Sequence, residues 1–91
     1  MGDFEVILLA KAQKFYEHCP LELAERLNRC FEVLENNPFS GPQIKLLKNI
    51  PKRKLYRYRV GDYRVVYEID KKDRKVGVLL ISPRASAYRH I

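Results

Sequence analysis

The sequence predicts an α+β domain in which two N-terminal helices pack on one face of a small sheet rich in antiparallel strands. Three observations predict this fold: an alternating apolar run near the N-terminus, two segments with helical periodicity, and three strand-like segments in the second half. The predicted order is therefore strand, helix, helix, strand, strand, strand. A chain of 91 residues has room for one small domain, which we assign to residues 1–91.

The first strand and both helices come from the N-terminal part of the chain. From Phe4 to Leu9 the side chains alternate between a more buried and a less buried face, which predicts a strand. The first helix is predicted by apolar residues at a spacing of three and four, namely Ala12, Phe15, Tyr16 and Cys19. Pro20 cannot continue that helix but suits the first turn of another. The apolar stripe of the second helix comprises Leu23, Leu27, Cys30, Phe31 and Leu34, and Asn36-Asn37-Pro38 ends it.

A basic connector precedes three predicted strands. The segment from Phe39 to Lys54 is interrupted by Pro and Gly, so we expect an irregular loop with room for a helical turn. Such a long loop in a small domain is often functional. The strands Leu55–Val60 and Tyr63–Asp70 are separated by Gly61-Asp62, a two-residue hairpin turn of the Gly-X kind. The third strand, Val76–Ser82, is apolar enough to be buried on both sides, and Pro83 ends it.

The charge of the chain is unevenly distributed. Lys and Arg number 18 against 11 Asp and Glu, a net charge of +7. Up to Pro42 there are four basic and seven acidic residues, a net of −3, so the remainder carries +10. We therefore expect a polyanionic partner that contacts the C-terminal half.

The predicted hairpin places arginines on one face. Across the Gly61-Asp62 turn, Arg59 faces Arg64, while Arg57 lies opposite Val66 and Leu55 opposite Glu68. Like charges in direct opposition destabilise a sheet, and three Arg without Lys suit planar, bidentate recognition of phosphate. The competing interpretation is a solvated face on which Glu68 neutralises part of the charge.

The opposite face of the hairpin is rich in tyrosine and also has two interpretations. The tyrosines, which are Tyr56, Tyr58, Tyr63 and Tyr67, could stack on nucleobases as sheet aromatics do in RNA-binding modules. They share their face with Val60, Val65 and Ile69, however, and the helices need an apolar surface to cover. This favours a place in the core. Tyr88 follows the last strand among basic residues, so we expect it to be exposed.

The sequence contains no motif for a metal or an organic cofactor, and we expect neither. No Ser-His-Asp or Cys-His order, paired carboxylates or Gly-rich phosphate loop is present, and His18 and His90 lie near predicted ends. RNA can still be cut without a metal, because its own 2′-OH supplies the nucleophile.

The run Val6–Ala10 is too short for a signal peptide or a membrane span, and Cys19 and Cys30 suit reduced thiols. We therefore expect a cytoplasmic protein with no membrane partner.

The second half resembles a known toxin family. The segment Leu55–Tyr67, with its Tyr-Arg-x-Arg-x-Gly-x-Tyr-Arg core, and the run Pro83–Tyr88 are similar to RelE toxins of type II toxin–antitoxin systems, within the RelE/ParE superfamily. The archaeal branch is the most similar. The resemblance implies a ribosome-dependent mRNA endoribonuclease that acts in the ribosomal A site on mRNA, beside rRNA. It also implies an acidic RelB-like antitoxin that wraps around the toxin.

Carried over residue by residue, the resemblance implies a catalytic set of Arg57, Arg59, Arg64, Arg84 and Tyr88. Further basic residues in the loop and the tail are candidates for RNA binding, namely Lys45, Lys48, Lys52, Arg53, Lys54 and Arg89. Well-studied bacterial members have Lys where this chain has Arg57 and Arg59, and one of those lysines is assigned as the base. Arg is a poor base, so the general base stays open, with Tyr88 as the candidate. Two alternatives to the RNase also remain: a ParE-like inhibitor of DNA gyrase, and a degenerate member that only binds its antitoxin.

Overall fold

The observed elements follow the predicted order, with one strand more. The computed structural model describes residues 2–47 and 53–83. Along the chain, the elements are β1 (Glu5–Leu8), α1 (Ala10–His18), α2 (Leu21–Asn36), β2 (Ile44–Leu46), β3 (Tyr56–Val60), β4 (Tyr63–Asp70) and β5 (Lys75–Pro83). The predicted helix boundary is confirmed, since Pro20 lies directly before the first residue of α2.

The five strands form one mixed sheet in the order β1-β5-β4-β3-β2. β1 runs parallel to β5, and the other three neighbouring pairs are antiparallel. A parallel pair needs a long crossover, and both helices lie in the stretch of chain between β1 and β5. The α+β class and the antiparallel-rich sheet are thus confirmed.

The helices cover one face of the sheet and form the main core with it. The fully buried helical side chains are Ala12, Leu27 and Leu34, with Leu23 and Cys30 nearly so. They pack against sheet residues of the same face, which are Tyr56, Val60, Val65, Tyr67, Val76, Val78 and Ile81. Within the described ranges, no helix is long and apolar enough to cross a membrane. The opposite face of the sheet, which we call the open face, has no helix packed on it among these elements.

The connector was predicted as an irregular loop with room for a helical turn, and this is wrong for residues 44–46. Ile44–Leu46 forms the edge strand β2, which pairs with β3 through Ile44↔Tyr58 and Leu46↔Tyr56. Three residues are too few for a sequence periodicity to reveal. What makes them a strand is the exposed edge of β3, whose backbone groups would otherwise lack partners.

The open face also carries a small apolar cluster. Leu55 and Val66 are fully buried there, and Leu47, Leu79 and Leu80 pack against them. The register between β4 and β5 shifts after Val66, which pairs with Leu80 while Tyr67 pairs with Val78. Leu79 is the extra residue of this bulge. The shift keeps Val78 and Ile81 on the helix-covered face, although residues three positions apart in a regular strand would point to opposite faces.

Candidate nucleic-acid interface

The tyrosines of the hairpin belong to the core. The register across the turn is the predicted one, with Val60 opposite Tyr63, Tyr58 opposite Val65 and Tyr56 opposite Tyr67. The rings of Tyr56 and Tyr67 stack with centroids 5.6 Å apart, and the Tyr67 hydroxyl donates to the Pro38 carbonyl oxygen at 2.8 Å. Burial raises the pKa of Tyr67 and of Tyr58, with a smaller contribution from Cys30. The raised pKa makes Tyr58 and Tyr67 poor bases, and the rings of Tyr56 and Tyr67 are buried and so not available to stack on nucleobases.

The arginine face of the hairpin has Arg64 near its centre. Arg64 lies on β4 opposite Arg59 of β3 and opposite Ser82 of β5, so it has a neighbour strand on either side. Only 6% of its surface is exposed. One guanidinium nitrogen, Nη1, donates a long hydrogen bond of 3.3 Å to the Tyr63 carbonyl oxygen, while the buried Nε has no hydrogen-bond partner in the part of the chain that the structure describes. A buried donor without a partner is uncommon and costs about 1–3 kcal/mol.

Arg57 and Arg59 complete the arginine face on β3. Arg57 is half-buried and donates from Nη1 to the Gln43 carbonyl oxygen at 2.8 Å. Arg59 is exposed, and its backbone N–H donates to the same carbonyl at 3.0 Å. Gln43 therefore fixes the edge of this surface. No sequence pattern singles out Gln43, because its contribution is a backbone carbonyl in the connector.

Glu68 does not neutralise these arginines. Its carboxylate pairs with Arg53, with Arg53 Nη2 and Glu68 Oε1 2.8 Å apart. Within residues 2–47 and 53–83, the only other ion pair joins Arg74 to Asp3. Arg57, Arg59 and Arg64 thus have no carboxylate partner in this part of the chain. Three neighbouring guanidinium groups without counter-charge form a surface that attracts an anion.

Some of the other predicted site residues belong to the described part of the chain, and others do not. Lys45 of β2 pairs with Arg57 and so extends the same face. Lys54 is exposed and, with Arg53, lines a shallow pocket at the far end of the open face. The other predicted site residues lie outside the described residues, namely Lys48, Lys52, Arg84, Tyr88 and Arg89. His90 lies outside them as well. Ser82, which the sequence did not point to as a site residue, is buried directly beside Arg64.

The described residues contain no group of three or more His, Cys, Asp and Glu side chains that could hold a metal ion. Both cysteines are free thiols. Cys30 is buried in the core, and this burial raises its pKa. It lies on the helix-covered side of the sheet, so it plays no part in the arginine face.

Comparisons with known proteins agree with this fold. The sequence profile described as "ParE toxin of type II toxin-antitoxin system, parDE" matches residues 6–88. Among curated protein sequences, none matches the chain significantly.

Solved toxin structures share the same architecture. RelE in the archaeal RelE–RelB complex from Pyrococcus horikoshii is 28% identical, with a TM-score of 0.77 over 93% of this chain and 99% of that one. The RelB–RelE complex from Methanococcus jannaschii contains a chain that is 25% identical, with a TM-score of 0.66 over 93% and 99%. A doubly substituted, free E. coli RelE is 18% identical, with a TM-score of 0.68 over 100% and 99%, and supports the fold alone.

Proposed function

The chain belongs to the ParE toxin family of type II toxin–antitoxin systems, within the RelE/ParE superfamily, and we propose that it is a ribosome-dependent endoribonuclease that cuts mRNA. In this proposal its substrate is mRNA in the ribosomal A site, beside rRNA, and a RelB-like antitoxin neutralises it. The two archaeal chains at 25–28% identity, both solved as RelE–RelB complexes, support an antitoxin as the partner. We propose that this antitoxin is acidic and covers the arginine face.

The observation that carries the RNA proposal is the buried Nε of Arg64, which has no hydrogen-bond partner among the described residues. Arg59 adds a second positive charge directly opposite. Both features destabilise the free protein, and both are relieved when a phosphate accepts from these groups. A gyrase inhibitor has no such need for an anion at this place, whereas carboxylates of an acidic antitoxin would relieve the same features, so the cleavage assay below separates the RNase from a protein that only binds its antitoxin.

The chemistry that suits this surface is transfer of a phosphoryl group within the RNA itself. The 2′-oxygen attacks the adjacent phosphorus and the bond to the 5′-oxygen breaks, which leaves a 2′,3′-cyclic phosphate and a 5′-hydroxyl. Arg57, Arg59 and Arg64 would orient the phosphate and stabilise its developing charge. The 2′-OH must lose a proton and the 5′-oxygen must gain one. Arginine is a poor base, so we assign a proton-transfer role to Tyr88 and further phosphate binding to Arg84, both outside the described residues.

The remaining basic residues are proposed to hold the RNA backbone. This role is supported for Lys45 by its pairing with Arg57, and for Lys54 by its exposure. Lys48, Lys52 and Arg89 keep the role that the family resemblance gives them. Arg53 is a special case, because its guanidinium is already engaged with Glu68.

The proposal is tested by inducing the protein in cells and following translation and mRNA cleavage. Wild type should arrest protein synthesis and produce new 5′ ends within translated codons. Arg64→Ala should abolish both effects while antitoxin binding persists. Arg29→Ala is the matched control, because Arg29 is exposed on α2 and its substitution removes one positive charge from the helical side of the molecule. Intact mRNA in cells that accumulate wild-type protein would exclude the RNase.

The second candidate is inhibition of DNA gyrase, which the ParE profile favours. A supercoiling assay with purified gyrase distinguishes it. Inhibition by wild type and Arg64→Ala alike, with mRNA intact, would support the gyrase inhibitor. No effect of wild type in either assay would indicate a degenerate member that binds only its antitoxin.

A further inference from the structure

We propose that Arg53 is a positioning residue that keeps the Glu68 carboxylate away from the arginine face, so that Arg57 stays free for an anion. The inference rests on the proposed RNA-binding function. It gives Arg53 a different role from a direct contact with RNA, and it assigns a role to Glu68, the acidic residue on the same face.

Glu68 is close enough to interfere with the arginine face. On β4 it lies two residues from Val66, which pairs with Arg57, so Glu68 and Arg57 are diagonal neighbours on the open face. Side chains in this relation have Cα atoms about 7–8 Å apart, within the reach of a Glu and an Arg. An unrestrained Glu68 could therefore pair with Arg57 and compete with a phosphate for it.

The two side chains instead point in opposite directions. Glu68 pairs with Gly77 of β5, and a Cβ built on Gly77 would lie 3.6 Å from Glu68 Cγ and 3.7 Å from its Oε2. The glutamate thus lies across β5, over a position that has no side chain. Arg57 reaches the other way, to the Gln43 carbonyl beyond the β2 side of the sheet.

Arg53 holds the glutamate in this place. Its Nη2 donates to Glu68 Oε1 at 2.8 Å, and both side chains are about half exposed, at 48% and 44%. An exposed ion pair of this kind contributes little to stability. Its effect is instead on where the carboxylate points, and on the negative charge that an approaching phosphate meets.

The test is the affinity for a short fluorescent 2′-O-methyl RNA, which binds but cannot be cut because its 2′-oxygen is blocked. Removal of one charge-assisted contact lowers affinity by roughly 10-fold, and we expect this for Arg53→Ala. Lys75→Ala is the matched control, because Lys75 is exposed and lines the same shallow pocket. It should change affinity by less than about 3-fold, as one distant surface charge does.

Rescue separates positioning from direct contact. If Arg53 only restrains Glu68, the Arg53→Ala/Glu68→Gln double variant recovers wild-type affinity, and Glu68→Gln alone changes it little. Arg53→Lys should also retain affinity, since a lysine can still pair with the glutamate. A double variant as weak as Arg53→Ala, or an Arg53→Ala effect no larger than that of Lys75→Ala, would overturn the proposal.

A crystal structure of Arg53→Ala gives a readout that does not depend on RNA. We expect the Glu68 carboxylate within about 4 Å of the Arg57 guanidinium, the distance of an ion pair. A carboxylate that remains over Gly77 would contradict the positioning role. If wild type fails to bind this RNA, the free arginine face does not bind an RNA backbone by itself, and this structure still decides whether Arg53 restrains Glu68. The cleavage assay in cells tests the proposed function separately.

Discussion

Replacement of Arg64 by methionine should make the protein more stable and inactive at the same time. Methionine fills the buried volume of the arginine stem without a charge or a donor. The change removes a buried Nε that has no partner and a like-charged neighbour of Arg59. It loses only the long hydrogen bond from Nη1 to the Tyr63 carbonyl oxygen, at 3.3 Å.

The magnitude follows from these terms. An unsatisfied buried donor costs about 1–3 kcal/mol and the lost hydrogen bond contributes about 0.5 kcal/mol. Relief of the cross-strand repulsion adds about 0.2–1 kcal/mol. We therefore expect the free energy of unfolding of Arg64→Met to rise by about 0.7–3.5 kcal/mol, and for a domain of this size each kcal/mol raises Tm by about 4–8 °C.

Thermal and urea unfolding followed by circular dichroism provide the measurement. Arg59→Met is the matched control, because Arg59 is exposed and the same change there relieves the repulsion without altering burial. Its free energy of unfolding should rise only by the relief of this repulsion, about 0.2–1 kcal/mol, and therefore by less than that of Arg64→Met. If Arg64→Met is less stable than wild type, the Arg64 guanidinium stabilises the free protein, and the reasoning that it lacks a partner until an anion binds is refuted.

Three further predictions concern the core and the hairpin turn. Tyr67→Phe removes the donor to the buried Pro38 carbonyl oxygen and should lower the free energy of unfolding by about 1 kcal/mol in urea melts. Translation arrest should persist in this variant. Unchanged stability would mean that this hydrogen bond contributes nothing. Burial raises the folded-state pKa of Cys30 and Tyr67 above their ordinary 9.0 and 10.0, so the unfolded chain loses these protons first. Stability should be intact below about pH 9 and then fall steadily as pH rises from 9–10 toward the higher folded-state pKa values, and an alkaline pH series of melts showing no fall would contradict this. Gly61→Ala should lower the free energy of unfolding by more than about 1 kcal/mol, because Gly61 has φ +56° and a Cβ there would lie 2.5 Å from Arg26 Nη2. In urea melts, a Gly61→Ala/Arg26→Ala variant should recover only the part of this loss that is due to the steric contact. Full recovery of stability would show that the backbone is not strained.

Local patterns were sufficient to predict most of the fold. Alternation and helical spacing placed β1, α1 and α2, and the Gly61-Asp62 turn fixed the pairing of β3 with β4 residue by residue. Strand β2 could not be predicted, because a three-residue edge strand is determined by its neighbour β3 rather than by its own sequence. The bulge at Leu79 is equally non-local, since it depends on how β5 aligns with β4.

The shared face of the three hairpin arginines was predicted, but their burial and ion pairing were not. The hairpin register alone placed Arg57, Arg59 and Arg64 on one face, as observed. It could not distinguish their burial, because that depends on the strand order: Arg64 lies on β4 between two strands, whereas Arg59 lies on β3 beside a short edge strand and is exposed. The hairpin register also could not predict the ion pair between Arg53 and Glu68, because Arg53 lies in the connector, outside the hairpin.

The hairpin also explains why stability and function are coupled in so small a protein. Side chains alternate between faces with a period of two, so the same strands supply tyrosines to the core and arginines to the open face. A slip of one residue would exchange the two sets, burying charge and exposing the aromatic rings. Gly61, with its positive φ, permits the tight turn that fixes the register. A change at this turn should therefore reduce stability and anion binding together, whereas Arg64→Met should separate them.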